Sequence, residues 1–233
     1  MKQTVFSTQL CILSIILAFT SISCRLSSDE PATASPGQRF LTLMRLYASE
    51  NRPLLNEECN TQEQRDAFLS DLDILYRQLI QNGDIGTFQS VADIDSHVAA
   101  SIGVWGVMEI VSANYMFKPS SKRLREQSLE MLGDFTSHSS PHVRSAALYS
   151  LGVMRQREFK DLVISRLGDT AKSSLFFPPF IESDFGMSTD VHTQACQALI
   201  KMVGKTEANP NLQAELEQRY SKRDSDSGEK EAN

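Results

Sequence analysis

An internal repeat of helical size constrains this 233-residue chain more than any other feature. Ser96-His97-Val98 leads through two alanines to Gly106-Val107-Met108, and Pro141-His142-Val143 leads through two alanines to Gly152-Val153-Met154. The two stretches are offset by 45 residues at their start and by 46 at their end. A third, weaker copy runs from Val191-His192 to Val203-Gly204. Periods of about 40–47 residues are typical of stacked helical pairs, in which each pair needs neighbours to bury its apolar face.

One unit of the repeat is the best preserved: Pro141-His142-Val143-Arg144-Ser145-Ala146-Ala147-Leu148, followed by Leu151-Gly152. It resembles the second helix of a HEAT or HEAT-like (armadillo-type) repeat, and 162–169 resembles the first helix of the next unit. The resemblance is good over about 120–170, partial over 90–117 and 189–204, and absent before about residue 60. It implies an all-α fold, a short right-handed α-α superhelix or HEAT-like solenoid. A compact, non-repeating helical bundle stays open as the alternative, because two good copies are compatible with either fold.

Apolar periodicity and start and stop signals predict the individual helices. Ser35-Pro36-Gly37-Gln38 begins the first, and the second runs from Asn60 to Asn82-Gly83. Further helices are expected near 95–113, 121–135, 142–155, 158–168, 189–203 and 209–221. No long segment shows the alternation or hairpin turns of a sheet. The helical domain is therefore expected over 36–220, followed by a polar tail at 221–233 with the composition of a disordered segment.

The first 24 residues are typical of a secretory signal. A short basic start, Met1-Lys2-Gln3, precedes an apolar run from Leu10 to Phe19 and then Ser21-Ile22-Ser23-Cys24. This leader resembles a bacterial lipoprotein signal with its lipobox, although Ser21 stands where leucine is usual. The alternatives are an ordinary cleaved signal and an uncleaved anchor. The anchor is disfavoured because the apolar stretch is shorter than the roughly 20 residues that span a bilayer.

The lipobox resemblance implies a signal peptide at 1–23 and an acylated Cys24, a palmitate-type anchor, as the mature N-terminus. Residues 24–35 would then form a flexible tether rich in small and polar residues. Arg25 follows the cysteine, where an aspartate retains enterobacterial lipoproteins at the inner membrane. The expected location is therefore the bacterial cell envelope, with the outer membrane favoured over the inner membrane.

The charge distribution excludes one class of partner and points to another. The chain is acidic overall, with a formal net charge of −6, which argues against a nucleic acid as partner. Residues 118–166 nevertheless hold nine basic and five acidic side chains. Seven of these cations are candidates for one recognition face that attracts an acidic partner or anionic head groups: Lys118, Lys122, Arg123, Arg125, Arg144, Arg155 and Arg157. The alternative is an ordinary solvated face, and the HEAT resemblance implies a packing role between repeats for Arg144.

An apolar insert interrupts the last repeat. About 18 residues, 171–188, separate two predicted helices and include Phe176, Phe177 and Phe180 beside Pro178-Pro179. Turns between helices of a bundle are usually about 2–8 residues long. The phenylalanines must be covered, since a large exposed apolar patch favours aggregation. They either fold back as a lid on the core of the chain or act as anchors in a partner.

Residues with metal-binding or catalytic chemistry are sparse. Cys59 and Cys196 could pair in an oxidising envelope, or remain two separate buried thiols. His138 and His142 are expected in a turn, and His97 and His192 at the surface or in caps of the repeats. The sequence contains no G-x-S-x-G, H-E-x-x-H, P-loop or C-x-x-C motif, so we predict no catalytic residue, metal site or cofactor.

These features together predict a non-enzymatic, lipid-anchored interaction or scaffold module of a bacterial envelope. It would bind an envelope protein of unknown identity through its helical surface. The alternative is an envelope enzyme, or an accessory subunit of one, with an unfamiliar site. A cluster of perturbed titratable groups in a deep pocket would favour that alternative.

Overall fold

The structure, a computed structural model, describes residues 34–48, 61–116, 122–176 and 187–204. The predicted signal peptide, nearly all of the tether, the helix expected at 209–221 and the polar tail lie outside these ranges. The part of the chain that the structure describes is mostly helical, which confirms the all-α prediction at that level. No helix in these ranges is long and apolar enough to cross a membrane.

Eight α-helices and one short hairpin make up the described part. The helices are α1 (Pro36–Ala48), α2 (Gln62–Asn82), α3 (Ile85–Ala92), α4 (His97–Met116), α5 (Lys122–Phe135), α6 (Pro141–Val153), α7 (Lys160–Ser165) and α8 (Val191–Val203). A 3-10 turn, Arg157–Phe159, leads into α7. Between α7 and α8, strands β1 (Lys172–Leu175) and β2 (Met187–Asp190) pair antiparallel, with Lys172 opposite Asp190 and Leu175 opposite Met187.

The helix boundaries follow from local signals. Ser35 and Gln38 form a reciprocal capping box, in which each backbone N–H donates to the other's side chain at 3.1 and 3.3 Å. The second helix is capped by Thr61 with Gln64, so the predicted start at Asn60 is one residue early. Gly83 ends this helix with φ 68°, a left-handed conformation that costs glycine little.

Two elements were absent from the sequence-based prediction. Helix α3 has only eight residues and is begun by Asp84, whose carboxylate accepts from the backbone N–H of Thr87 at 3.0 Å. The β-hairpin contradicts the expectation of no sheet, and it moves the start of the last helix from 189 to 191. Its strands, Lys-Ser-Ser-Leu and Met-Ser-Thr-Asp, carry little apolar alternation. Their pairing therefore depends on the helices beneath them.

Helices α4, α6 and α8 pack side by side. The rings of His97 and His142 are 5.9 Å apart and those of Trp105 and Tyr149 5.2 Å apart, so α4 and α6 run parallel at an offset of about 45 residues. The N-terminal ends of α6 and α8 meet near Asp169 and Ala171, and their C-terminal ends meet where Arg157 reaches Met202. Helices α6 and α8 therefore run parallel as well.

Small residues make the contacts of these three helices with their neighbours close. The repeat-related alanines are all buried: Ala99, Ala100, Ala146, Ala147, Ala195 and Ala198. A side chain added at Gly106 would clash with the ring of Phe88, and one added at Gly152 would clash with the backbone of Ala198. Helix α4 is buried along most of its length because α1, α2, α3, α5 and α6 all contact it. It is consequently the centre of the core.

Candidate functional site

The C-terminal end of α6 turns sharply and brings two arginines to the surface. Arg155 adopts φ 53°, the left-handed conformation that usually falls to glycine at this position. Its N–H donates to the carbonyl of Gly152, and the N–H of Gln156 donates to that of Leu151, which closes a Schellman-type helix end. A non-glycine residue in this conformation is uncommon and is often associated with function.

Arg157 joins this turn to the end of α8. Its Nε donates to the carbonyl oxygen of Met202 at 2.9 Å, which satisfies one of the carbonyls left unpaired at a helix C-terminus. A cation in this position is also favoured by the helix dipole. A guanidinium has five N–H donors, so Arg157 keeps terminal N–H groups for a ligand.

Lys201 supplies the third cation from the last turn of α8. Its Nζ lies 4.3 Å from the centre of the Tyr149 ring, within the range of a cation–π interaction. Partial burial lowers the pKa of Lys201 from its ordinary value.

These three cations line one concave site, which we call the cationic notch. It has a volume of about 290 Å³ and is lined by Arg155, Arg157, Ile200, Lys201, Met202, Val203 and Gly204. The lining contains no carboxylate. Among the described residues, no salt bridge involves any of the three cations. The notch is therefore a positively charged concavity without an internal counter-ion in the described part of the chain.

The remaining predicted cations divide into separate groups. Arg123 and Arg125 lie in the first turn of α5, which packs against both α4 and α6. Arg123 is exposed and Arg125 is half-buried. Lys122 lies 3.7 Å from Glu126, and Lys118 is outside the described residues.

Arg144 bonds within its own chain and is not part of the predicted recognition face. Its Nε donates to Asp169 Oδ2 at 2.8 Å, and one terminal nitrogen donates to the carbonyls of His138 and Ser139. Burial would raise the pKa of Asp169, but the hydrogen bonds from Arg144 and the N–H of Ala171 outweigh it and lower that pKa. Arg144 thus joins the turn before α6 to the segment that follows α7.

Phe176 lies in the core of its own chain. It is 4% exposed, its N–H donates to Ser101 Oγ at 2.9 Å, and its carbonyl accepts from Trp105 Nε1 at 2.9 Å. Its ring packs edge-on against Tyr47, with centroids 6.4 Å apart. This arrangement matches the lid interpretation at Phe176. The two other predicted anchors, Phe177 and Phe180, lie outside the described residues.

The histidines differ from the prediction in two places. His142 is the second residue of α6 rather than a turn residue, and its Nδ1 accepts from the N–H of Ser174 at 2.9 Å. Burial first, and then the neighbouring His97, lower the pKa of His142. His192, expected at the surface or in a cap, is buried in the first turn of α8. His138 lies in the turn as predicted, 3.0 Å from Asp93.

Cys196 is also buried, with its Sγ 3.4 Å from Nε2 of His192, whose Nδ1 bonds to the carbonyl of Leu167. Its proposed disulfide partner, Cys59, lies outside the described residues, so the pairing stays a prediction. Within the described ranges, no group of three or more histidine, cysteine or acidic side chains is placed to hold a metal ion.

Two titratable side chains, away from the notch, lie in contact between α2 and α4. The hydroxyl of Tyr76 lies 3.2 Å from Glu109 Oε1, and burial raises the pKa of both side chains. Tyr76 also packs against the rings of Phe40 and Phe88, so the pair is part of the contact between the first helices.

Sequence reasoning identified Arg155 and Arg157 but missed Lys201 and Tyr149. The available signal was the repeat itself, because Tyr149 and Lys201 lie on helices that the second and third copies predict. No protein-family model matches this chain, and neither the curated proteins nor the solved structures include a match to it.

Proposed function

We propose that this chain is a non-enzymatic, lipid-anchored interaction module of a bacterial cell envelope, with the outer membrane favoured over the inner membrane. Its helices form a short, right-handed HEAT-like solenoid that binds a partner protein. The observation that carries the proposal is the parallel packing of α4, α6 and α8, in which repeat-related alanines are buried on all three helices and Gly152 of α6 meets Ala198 of α8. Such a stack leaves the ends of its helices and the turns between them free for binding.

The charge on one end of the stack supports recognition of an acidic partner. Arg155, Arg157 and Lys201 meet in the cationic notch, and α5, which packs against α6, carries the exposed Arg123 in its first turn. Unpaired cations attract an anionic surface and accelerate association, because their field extends into solvent. Arg144 contributes nothing to this field, since Asp169 neutralises it.

The enzyme alternative would be favoured by several perturbed titratable groups converging in one pocket. In the described part, the residues with shifted pKa values fall in three regions: Lys201 lines the notch, Glu109 pairs with Tyr76 next to Arg77, and His142, Asp169 and Asp190 lie around β1 rather than in the notch. The interaction module is therefore the better-supported proposal.

The lipid anchor rests on the leader alone and has its own test. We expect radioactive palmitate to label the wild-type chain and not a Cys24→Ala variant, because Cys24 directly follows the apolar run. The wild type should also partition into the detergent phase, since several acyl chains hold a protein to a membrane stably while a single chain does not. Equal labelling of both proteins would rule out the anchor.

The partner protein is to be identified by cross-linking in envelope membranes. Tagged full-length chain is cross-linked in envelope membranes at about 0.05 M and about 1 M salt, at which the screening length falls from more than 10 Å to about 3 Å. We expect one partner to be enriched at low salt and reduced at high salt. The Arg123→Glu/Arg155→Glu variant should lose it, while Arg39→Glu/Arg45→Glu on α1 should retain it. Enrichment no greater than that of an unrelated lipoprotein would contradict the proposed function.

A further inference from the structure

The cationic notch combines two kinds of hydrogen-bonding group. Three side chains present positive charge without a counter-ion among the described residues, whereas α8 ends there with its last backbone carbonyls, of which that of Ile200 already accepts from Gly204 and that of Met202 from Arg157. A helix C-terminus carries roughly half a negative charge, so the three full positive charges dominate the field. The notch is therefore anion-attracting overall, with acceptors placed beside its donors.

This combination distinguishes between anionic ligands. A phosphate group offers negative oxygens to the arginines but meets repulsion from the carbonyls of α8. A peptide with acidic side chains offers carboxylates to the cations and backbone N–H groups to the carbonyls. The small volume, about 290 Å³, is at the lower end of ligand pockets and suits one or two residues of such a chain.

Apolar surface near the notch favours a peptide for a second reason. Ile200 is half-buried in the lining, and Val153, two residues before Arg155, exposes 44% of its surface. A peptide residue next to the carboxylate can cover such surface, whereas inorganic phosphate has no apolar part. The planar fork of an arginine also matches a carboxylate geometrically, and it can bind both oxygens at once.

We propose that the cationic notch binds an acidic peptide segment of the partner, with its carboxylates on Arg155, Arg157 and Lys201 and its backbone N–H groups on the carbonyl end of α8. This names the partner chemistry of the proposed function and rests on that function for its biological role. The left-handed conformation of Arg155 is consistent with it, because the conformation aims a cation into the notch where glycine would be the less strained choice.

The test uses the detergent-purified full chain and a fluorescent hexapeptide that alternates glutamate and leucine. We expect binding by fluorescence anisotropy, and at least about tenfold weaker binding to the Arg155→Gly/Lys201→Met variant, equivalent to about 1.4 kcal/mol. The matched control, Arg39→Gln/Arg45→Gln, removes two exposed cations from α1 and should change affinity less than about twofold.

The choice of substitution excludes loss of folding as the cause of weaker binding. Arg155→Gly alone removes a charge and relieves the left-handed backbone, so its Tm should equal or exceed that of the wild type. Its affinity should nevertheless fall, while Arg155→Lys, which keeps the charge but loses the planar fork, should bind with an affinity between those of the wild type and Arg155→Gly. Unchanged affinity in Arg155→Gly would overturn the inference, and so would equal binding of a hexapeptide with glutamine in place of glutamate.

Two further measurements distinguish an acidic peptide from inorganic phosphate and from anionic lipid as the ligand. Inorganic phosphate at about 10 mM should displace little of the peptide, and phosphatidylglycerol vesicles should bind wild type and Arg155→Gly equally. Full displacement by phosphate, or vesicle binding that depends on Arg155, would overturn the assignment to a peptide. If no partner is captured but the hexapeptide binds through Arg155, the proposed function is wrong and the inference that the notch binds an acidic peptide stands. If Arg155→Gly still captures the partner fully, the notch inference fails and the proposed function remains.

Discussion

Replacing Gly152 with alanine tests the close approach of α6 and α8, on which the stacked arrangement depends. Gly152 is buried near the end of α6, and an added Cβ would lie 2.6 Å from Cα and 3.0 Å from Cβ of Ala198. Carbon atoms pack best at about 3.5–4.0 Å, so the two helices would have to separate by roughly 1 Å. The contacting atom is backbone, which cannot rotate away, so the strain cannot be relieved by one side chain.

The expected cost follows from two opposing terms. Overpacking a core costs about 1–3 kcal/mol, and replacing glycine by alanine in a helix gains at most about 1 kcal/mol. The free energy of unfolding should therefore fall by about 1–2 kcal/mol, because Gly152 lies near the end of α6 and gains less than the maximum. For a domain of this size, each 1 kcal/mol corresponds to about 2–4 °C in Tm, so we expect a decrease of about 2–8 °C.

The matched control is Gly86→Ala in α3. Gly86 is exposed, and the nearest atom to its added Cβ is Asp84 Oδ1 at 3.8 Å, an ordinary contact. Only the gain in helix propensity remains, so Tm should rise by about 1–3 °C. Both variants are compared with the wild type by thermal and urea unfolding monitored by circular dichroism. A rise in Tm for Gly152→Ala equal to that for Gly86→Ala would refute the close packing of α6 against α8.

Three further predictions follow from named contacts. Phe176→Ser should lower the free energy of unfolding by at least about 3 kcal/mol in urea titrations, because a buried ring is lost; an unchanged midpoint would contradict the lid interpretation. The pKa of His142 is lowered in the folded state, so the unfolded state binds more protons below about pH 6.5 and stability should fall as the pH drops through that value. The urea midpoint should therefore fall less between pH 7.5 and 5.5 in His142→Gln than in the wild type, and equal decreases would exclude this contribution. Arg144→Met should cost about 1.5–3 kcal/mol, since it leaves Asp169 without its charged partner, and Arg144→Met/Asp169→Asn should recover part of that loss; additive losses would contradict a direct pair.

The helices were largely predictable from the sequence because their signals are local. The capping box at Ser35 and Gln38 and the left-handed stop at Gly83 act within a few residues, and the structure contains both. The hairpin at 172–175 and 187–190 was not predictable in this way. Its paired residues are twelve or more positions apart in the sequence, and its strands are mostly polar, so neither periodicity nor a turn motif identifies it.

The candidate site was likewise predictable only in part. The sequence identified the excess of positive charge in the middle of the chain, including Arg155 and Arg157. It did not show that Arg144 would be neutralised by Asp169, or that Lys201 would join the arginines from a helix 44 residues further along. These outcomes depend on the distances between helices, which local patterns do not contain.

The sequence by itself determined where most helices begin and end, and which small residues recur at the repeat offset, among them Ala99 and Ala146. Backbone conformation, capping and apolar periodicity depend on neighbours in the chain, so they can be read without a fold. Only the tertiary structure decided which cations remain unpaired and that Phe176 is covered by Ser101 and Trp105. Burial and charge neutralisation require groups distant in sequence to lie within a few ångströms, and that proximity exists only once the helices have packed.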